Sequence, residues 1–414
     1  TLDRLQNSLE ADSALRYDAV LMSALDSYQS GETRVYHGDL LCELILLRLK
    51  ACSSQNYYKE VLMYAKPLAA LALTSYSVKE RVLNSRSCAW MLDLVWGLCD
   101  EVSLMKEDRK LNKASTLAEL IQTILRLVNN FLCGYDKGKT ALAELPEWRT
   151  LLPVLWKTAL DFPGVIKCTL QLIATLTSAK HSASIVFKIN NKASEIHNET
   201  CLVLNVMLLM TSELKRHRQL NAEVFTLLCQ ILCHAACSPD TRFILSQTKY
   251  FKDLSEIIWN NRQFFSKNGS LGPWLSFILS ISWYPDGQKS LMKDELCIEL
   301  LFYAFDKLDA PFGEKILLVF RNLCYVTRCQ NLLSQKSCFW AMCRQITIKN
   351  DYNQSSIILE GLAALTCNNQ KARLLCKENG IANALTKLLK SSLDAADVPE
   401  TFITDLRSTL DNIQ

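Results

Sequence analysis

The chain has 414 residues, 49% of them hydrophobic and 21% charged, with a formal net charge of +4. That length exceeds what one globular core supports, so the chain is either several domains or one quasi-linear array, and the composition excludes disorder. So small a charge argues against a duplex-binding domain, and only 12 glycines and 9 prolines imply long elements with few tight turns.

Apolar spacing is helical almost throughout. Leu15–Tyr28, Gly38–Ala51, Tyr57–Thr74 and Ser87–Met105 read as helices, followed by Lys106–Lys113 (KEDRKLNK), a charged segment read as an exposed loop. Leu117, Leu120, Ile121, Ile124, Leu125 and Val128 then follow the i, i+3, i+4, i+7 pattern of a buried helix face. Sustained strand-like alternation is absent.

From here a repeat emerges. The segments beginning at Leu127, Gln171, Cys229, Ser276, Phe320 and Leu359 each carry an apolar helix end, a polar turn and a new apolar pair. Anchored on Phe131, Ile173, Leu232, Ile278, Leu323 and Leu362, they recur at about 42, 59, 46, 45 and 39 residues, near the period of armadillo and HEAT units. The long interval contains Lys188–Thr200 (KINNKASEIHNET), read as an inserted loop. One helical hairpin cannot bury its apolar face alone, so such units stack around a continuous core. The expected fold is an all-α, armadillo/HEAT-like right-handed superhelical solenoid. Its expected organisation is a divergent helical region over residues 1–115, armadillo-like repeats over 116–390, and a linker with a capping helix from Pro399 over 391–414.

The motifs that carry chemistry are weak. GYDKGKT, Gly134–Thr140, has one residue too few between its glycines for a phosphate loop and follows a helix rather than a strand, so it reads as an inter-helix turn with Lys137 and Lys139 solvated. Cys229, Cys233 and Cys237, beside His234, lie on one helical face, but three ligands there span about 12 Å, too far for one tetrahedral ion. The 17 cysteines, an odd number scattered through apolar runs, read as core thiols in a reducing compartment. Neither a signal peptide nor a membrane-spanning stretch is read, and the Asn-x-Ser/Thr sequons at Asn198, Asn268 and Asn353 are discounted. The five histidines are scattered, and no H-E-x-x-H, G-x-S-x-G or G-x-G-x-x-G motif occurs. The expectation is a non-enzyme with no catalytic residues, no metal and no cofactor. Lys215, Arg216, His217 and Arg218 read as a solvated helix end or, alternatively, a contact for an acidic partner segment. Beginning at Thr1, the chain is expected to be a piece of a longer protein.

None of the eight tryptophans is followed four residues later by Asn, which removes the main support for an importin-type carrier. Pro273–Met292, Leu318–Gln335 and Leu359–Gly380 resemble the C-terminal part of rotatin-like proteins, large armadillo-like proteins of centrioles and cilia. That resemblance implies a scaffold in centriole assembly, located in the cytoplasm at the centrosome. A cargo or signalling adaptor unrelated to centrioles, and an RNA-binding helical solenoid, stand as alternatives. Solenoids present inner helices to their ligands, so Asn129, Asn130, Trp274, Arg321, Asn322 and Glu360 are the candidate partner-binding residues, and Asn322 has the competing role of tying neighbouring repeats together. The expected partner is a helical segment of another centriolar or scaffold protein; neither membrane nor small-molecule substrate is expected, and the side chains before the anchors form no base-reading code.

Overall fold

The computed structural model describes residues 38–54, 58–74, 76–84, 86–107, 111–188, 202–217, 221–247, 249–267, 269–307, 310–348, 352–395 and 398–414. Every element among them is a helix. The chain divides into two compact units, residues 1–199 and 200–414.

In the first unit the helices are α1 (Gly38–Ser54), α2 (Tyr58–Thr74), α3 (Tyr76–Asn84), α4 (Ser87–Glu107), α5 (Leu111–Leu132), α6 (Asp136–Glu144), α7 (Pro146–Ala159), α8 (Pro163–Thr177) and α9 (Lys180–Val186). Three columns form. Short helices α3, α6 and α9 stack on one another, α4 stacks on α7, and the third column runs α2, α5, α8. The α5 face built by Leu117, Ile121, Ile124, Leu125 and Val128 is buried, as its spacing requires.

The second unit contains α10 (Leu202–His217), α11 (Ala222–Ala236), α12 (Pro239–Gln247), α13 (Lys249–Asn260), α14 (Arg262–Lys267), α15 (Leu271–Ser282), α16 (Pro285–Lys293), α17 (Glu295–Lys307), α18 (Ala310–Cys324), α19 (Thr327–Ser334), α20 (Ser337–Ile348), α21 (Tyr352–Thr366), α22 (Gln370–Glu378), α23 (Ile381–Leu393) and α24 (Glu400–Ile413). The same columns appear: α12, α16, α19 and α22 are the short helices, α10, α13 and α17 stack as second helices, α20 packs on α23, and α11, α15, α18, α21 and α24 form the third-helix column. All six sequence anchors are buried core residues of third helices. The helix starts follow local chemistry. Pro146, Pro163 and Pro285 occupy first-turn positions where no N–H is needed, and the Asn221 and Asn369 side chains accept from the Glu223 and Ala372 amides.

The short helices obey a rule that the apolar pattern does not show. Their third residue is compact and buried: Val78, Gly138, Ser182, Thr241, Gly287, Cys329 and Ala372. Their fourth residue is, with the exception of Ala183, a long donor that reaches the end of a third helix. Arg242 Nη1 donates to Ala236 O at 2.8 Å, Gln288 Nε2 to Ser282 O at 2.7 Å and Arg373 Nε to Thr366 O at 2.9 Å. Gln330 Nε2 donates both to Cys324 O at 2.8 Å and to Ala364 O at 3.0 Å. In the first unit Lys79 reaches Cys133 O, and Lys139 reaches Ser178 Oγ at 2.9 Å. The last carbonyls of a helix have no partner within it, so these side chains satisfy groups that would otherwise be orphaned. Lys139 is therefore buried, between Asp136 and Ser178, and not solvated as GYDKGKT suggested. Only its first two residues form the turn, with Gly134 in the left-handed region at φ +67, and Asp136–Thr140 begin α6.

Other expectations shift at their edges. Lys106 and Glu107 complete α4, and Leu111–Lys113 begin α5, so most of the charged "loop" is helix end, and residues 108–110 lie outside the described residues. Lys106 pairs with Asp161. The helix expected over Leu15–Tyr28 and residues 189–200 of the expected insertion lie outside the described residues.

Candidate functional site

The third-helix column is where the nominated residues fall. In the first unit, Asn130 Nδ2 donates to Ala69 O of α2 at 3.0 Å, and Asn129 Oδ1 accepts from Thr175 Oγ1 of α8 at 2.6 Å. Both amides are half-buried and both link neighbouring third helices.

In the second unit, Arg321, Asn322 and Glu360 are brought together. Arg321 Nη1 donates to Glu360 Oε2 at 2.9 Å, and its Nε and Nη2 donate to Asn322 Oδ1 at 3.3 and 3.1 Å. Asn322 Nδ2 donates to Ser282 Oγ of α15 at 2.9 Å. The guanidinium lies 5.1 Å from the centroid of the Trp283 ring, a cation–π arrangement. Five polar or aromatic groups, from α15 and the residue after it, α18 and α21, thus form one row. Gly361 keeps this seam close, since a Cβ there would stand 3.4 Å from Arg321 Cα. Asn322 itself is only 4% exposed, so its geometry is that of a tie between repeats.

Trp274 does not join the row. It is 0% exposed, inside α15, and no partner can reach it. At the ends of third helices the exposed aromatics are Trp283, 54% exposed, and Tyr325, 63% exposed, each just past the end of its helix. Residues at the same place elsewhere (Cys133, Ser178, Cys237 and Cys367) are exposed too. Aligning the repeats on their helix ends rather than on buried anchors would have shown this outward position directly.

Among the described residues, thiols, metal-binding groups and cavities give little sign of chemistry. Burial pushes the thiols of Cys88, Cys99 and Cys376 up to about 12 and that of Cys329 to about 11, so they are protonated and poorly nucleophilic at neutral pH. The Cys229–Cys237 group does not consist wholly of core thiols, as the cysteines were read: Cys229 is buried, Cys233 half-buried and Cys237 exposed. Among the described residues, no three His, Cys, Asp or Glu side chains are gathered to hold a metal. A cavity lined by Arg242, Phe251 and Gly287 holds about 10 Å³ and one lined by Met292, Ile298 and Leu333 about 20 Å³, roughly one water each and too small for a substrate. No described helix is long and apolar enough to cross a membrane. Iodoacetamide at pH 7.5 is expected to alkylate Cys133, Cys237 and Cys367 first, with Cys88, Cys99 and Cys376 at least about a hundredfold slower until denaturant is added. Peptide mapping of the labelled protein checks this.

Similarity to known structures decides the fold. A crystal structure of an engineered protein aligns over 92% of this chain and 86% of its own, with a TM-score of 0.57 at 14% identity. A chain solved in a study of a phosphorylation switch controlling the interaction between cadherin and beta-catenin aligns over 95% of this chain and 80% of its own, with a TM-score of 0.55 at 14% identity. Such neighbours, and a short–long–long helical repeat, are those of one architecture. The fold is an armadillo-type solenoid. No family model and no curated protein matches the sequence, so the rotatin-like phrases find no counterpart. Within an armadillo-type solenoid the third-helix column is the surface that adjacent repeats display together, and here it carries the Trp283–Arg321–Glu360 row.

Proposed function

We propose that this chain is a non-catalytic scaffold that binds another protein on the third-helix face of its second unit. One observation carries the reading: two large aromatics just past the ends of successive third helices, Trp283 and Tyr325, stand more than half exposed, and Trp283 lies against an ordered Arg321–Glu360 pair. Trp, Tyr and Arg are the side chains in which binding energy concentrates at interfaces, and here Arg321 lies against the exposed Trp283 ring. Leu279, Leu318 and Ile357, half-buried on the same helices, supply an apolar floor of the kind a helical segment docks against. Glu360 and Arg321 set the register of that segment; Asn129, Asn130 and Asn322 contribute by holding successive third helices in line. The matched cadherin–beta-catenin study supports the reading, as it concerns a protein–protein interaction on a similar fold.

A finer version assigns the scaffold to centrioles as a rotatin-like protein. It rests on the phrases within Pro273–Met292, Leu318–Gln335 and Leu359–Gly380 alone. Co-localisation of the tagged chain with a centriolar marker supports it, and uniform cytoplasmic signal removes it.

The double variant Trp283→Ala, Tyr325→Ala tests the site. Exposed side chains away from the core change stability by about 0.5 kcal/mol or less, so its melting curve is expected to match the parent. Affinity for a captured partner is expected to fall at least about tenfold. A variant that binds as well as the parent removes this face from consideration. Stabilisation by several degrees with ATP and magnesium would instead point to an enzyme.

A further inference from the structure

Lys315 is a cation on the same face without an acid to answer it. It projects from α18, and its Nζ donates to Ser276 Oγ of α15 at 2.9 Å. Ser276 in turn donates to Gly272 O at 3.1 Å, so the ammonium is held by a hydroxyl whose own proton is committed elsewhere. Its stem passes Phe312, with Nζ 5.9 Å from the ring centroid. The charge also acts on the Cys233 thiol of α11, to which Ser280 is hydrogen-bonded. Lys315 thus sits where α11, α15 and α18 adjoin, among neutral hydroxyl and thiol groups.

Among the described residues no carboxylate pairs with it. Glu314 is its chain neighbour, but adjacent residues on a helix point apart. Glu360 is engaged by Arg321. An ammonium carries three N–H donors, and one is used here. A half-buried cation with unused donors, on the third-helix column whose ends carry exposed Trp283 and Tyr325, is complementary to a carboxylate on a segment that also carries an apolar side chain.

We infer that the third-helix face of the second unit receives an acidic segment of a partner protein, one carboxylate bonding Lys315 Nζ while a neighbouring apolar side chain packs on Trp283 or Tyr325. The inference rests on the protein-binding reading above. It favours a protein over an anionic lipid surface or a nucleic acid because those need many cations spread over a surface, and here one half-buried ammonium is unanswered.

The test is selection of random 16-residue peptides displayed on phage against the intact chain, followed by titration of the fluorescently labelled synthetic winners. The expected winners carry net negative charge and an aromatic or aliphatic residue next to an Asp or Glu. Their affinity is expected to fall at least about tenfold in Lys315→Glu, to stay within about threefold in Lys315→Arg, and to weaken as salt rises. Lys315→Met is measured alongside, and each variant is checked for an unchanged melting curve, so a folding defect in one is not read as lost binding. Neutral or basic winners, or acidic winners indifferent to Lys315→Glu and Lys315→Met, overturn the inference and leave the scaffold reading standing. Lys315-dependent binding to phosphatidylserine vesicles in place of peptides also overturns it. A selection that enriches nothing counts against both readings.

Discussion

Trp274→Ala is expected to destabilise the second unit by about 3–5 kcal/mol, the range for deleting a wholly buried indole. The side chain is 0% exposed in α15, whose neighbours on either side in the column are α11 and α18. Removing it leaves a void between stacked layers that cannot collapse without moving a helix, because interiors are packed like crystals. The readout is the urea midpoint of the far-ultraviolet circular dichroism transition, compared with Trp283→Ala as an exposed control. Equal midpoints for the two variants would show that Trp274 is not packed as described. Had Trp274 been a binding residue, its loss would weaken partner capture while sparing the fold, the reverse of what is expected here.

Gly287→Ala is expected to be the second most damaging change, at about 2–4 kcal/mol, even though alanine is the better helix former. Gly287 is the third residue of α16, and a Cβ built on it would lie 2.3 Å from Ile281 O and 2.5 Å from the Ile281 side chain. A backbone carbonyl cannot swing aside as a flexible side chain can. The whole of α16 would have to lift from the end of α15, taking with it the Gln288 Nε2 bond to Ser282 O. Gly97→Ala is the matched control. Nothing stands within 4 Å of a Cβ there, so the same substitution inside α4 is expected to stabilise by about 0.5–1 kcal/mol. Melting temperatures of the two variants moving in opposite directions would establish that contact, and not propensity, governs Gly287.

The helices and their repeat were legible because each must hide an apolar stripe, and that stripe leaves a period in the sequence. Gly38–Ala51, Tyr57–Thr74 and Ser87–Met105 were read within a few residues of α1, α2 and α4. The site was less legible, and Trp274 shows why. In Pro273–Ile281 apolar residues fall on nearly every side of the helix, since α15 is packed between two third helices and its own repeat. Period alone then cannot say which stripe faces out. The exposed edge is set by where the helix stops, and Trp283 occupies that end. Lys315 and the donors in the short helices were missed for a related reason. Their partners are 34 to 44 residues away, or are backbone carbonyls, which leave no mark on side-chain patterns. Asn322 and Arg321 were found because polar residues inside an apolar run stand out even when their partners are invisible.

The donors at the fourth place of each short helix have a mechanical side. Gln330 grips the helix behind it through Cys324 O and the helix ahead through Ala364 O, so one amide couples two consecutive layers. Arg242 does the same by another route, holding Ala236 O behind and Asp286 ahead while its guanidinium lies 3.6 Å from the Tyr284 ring centroid. Gln288 and Arg373 grip only the helix behind. The fastening between layers is therefore not the same at every repeat. At the Gln288 layer the coupling forward is made instead from the third helix, where Asn322 holds Ser282 and Lys315 holds Ser276. A long ligand laid along the third helices would meet a rail whose layers are fastened in two ways, by short-helix donors at some repeats and by third-helix side chains at others.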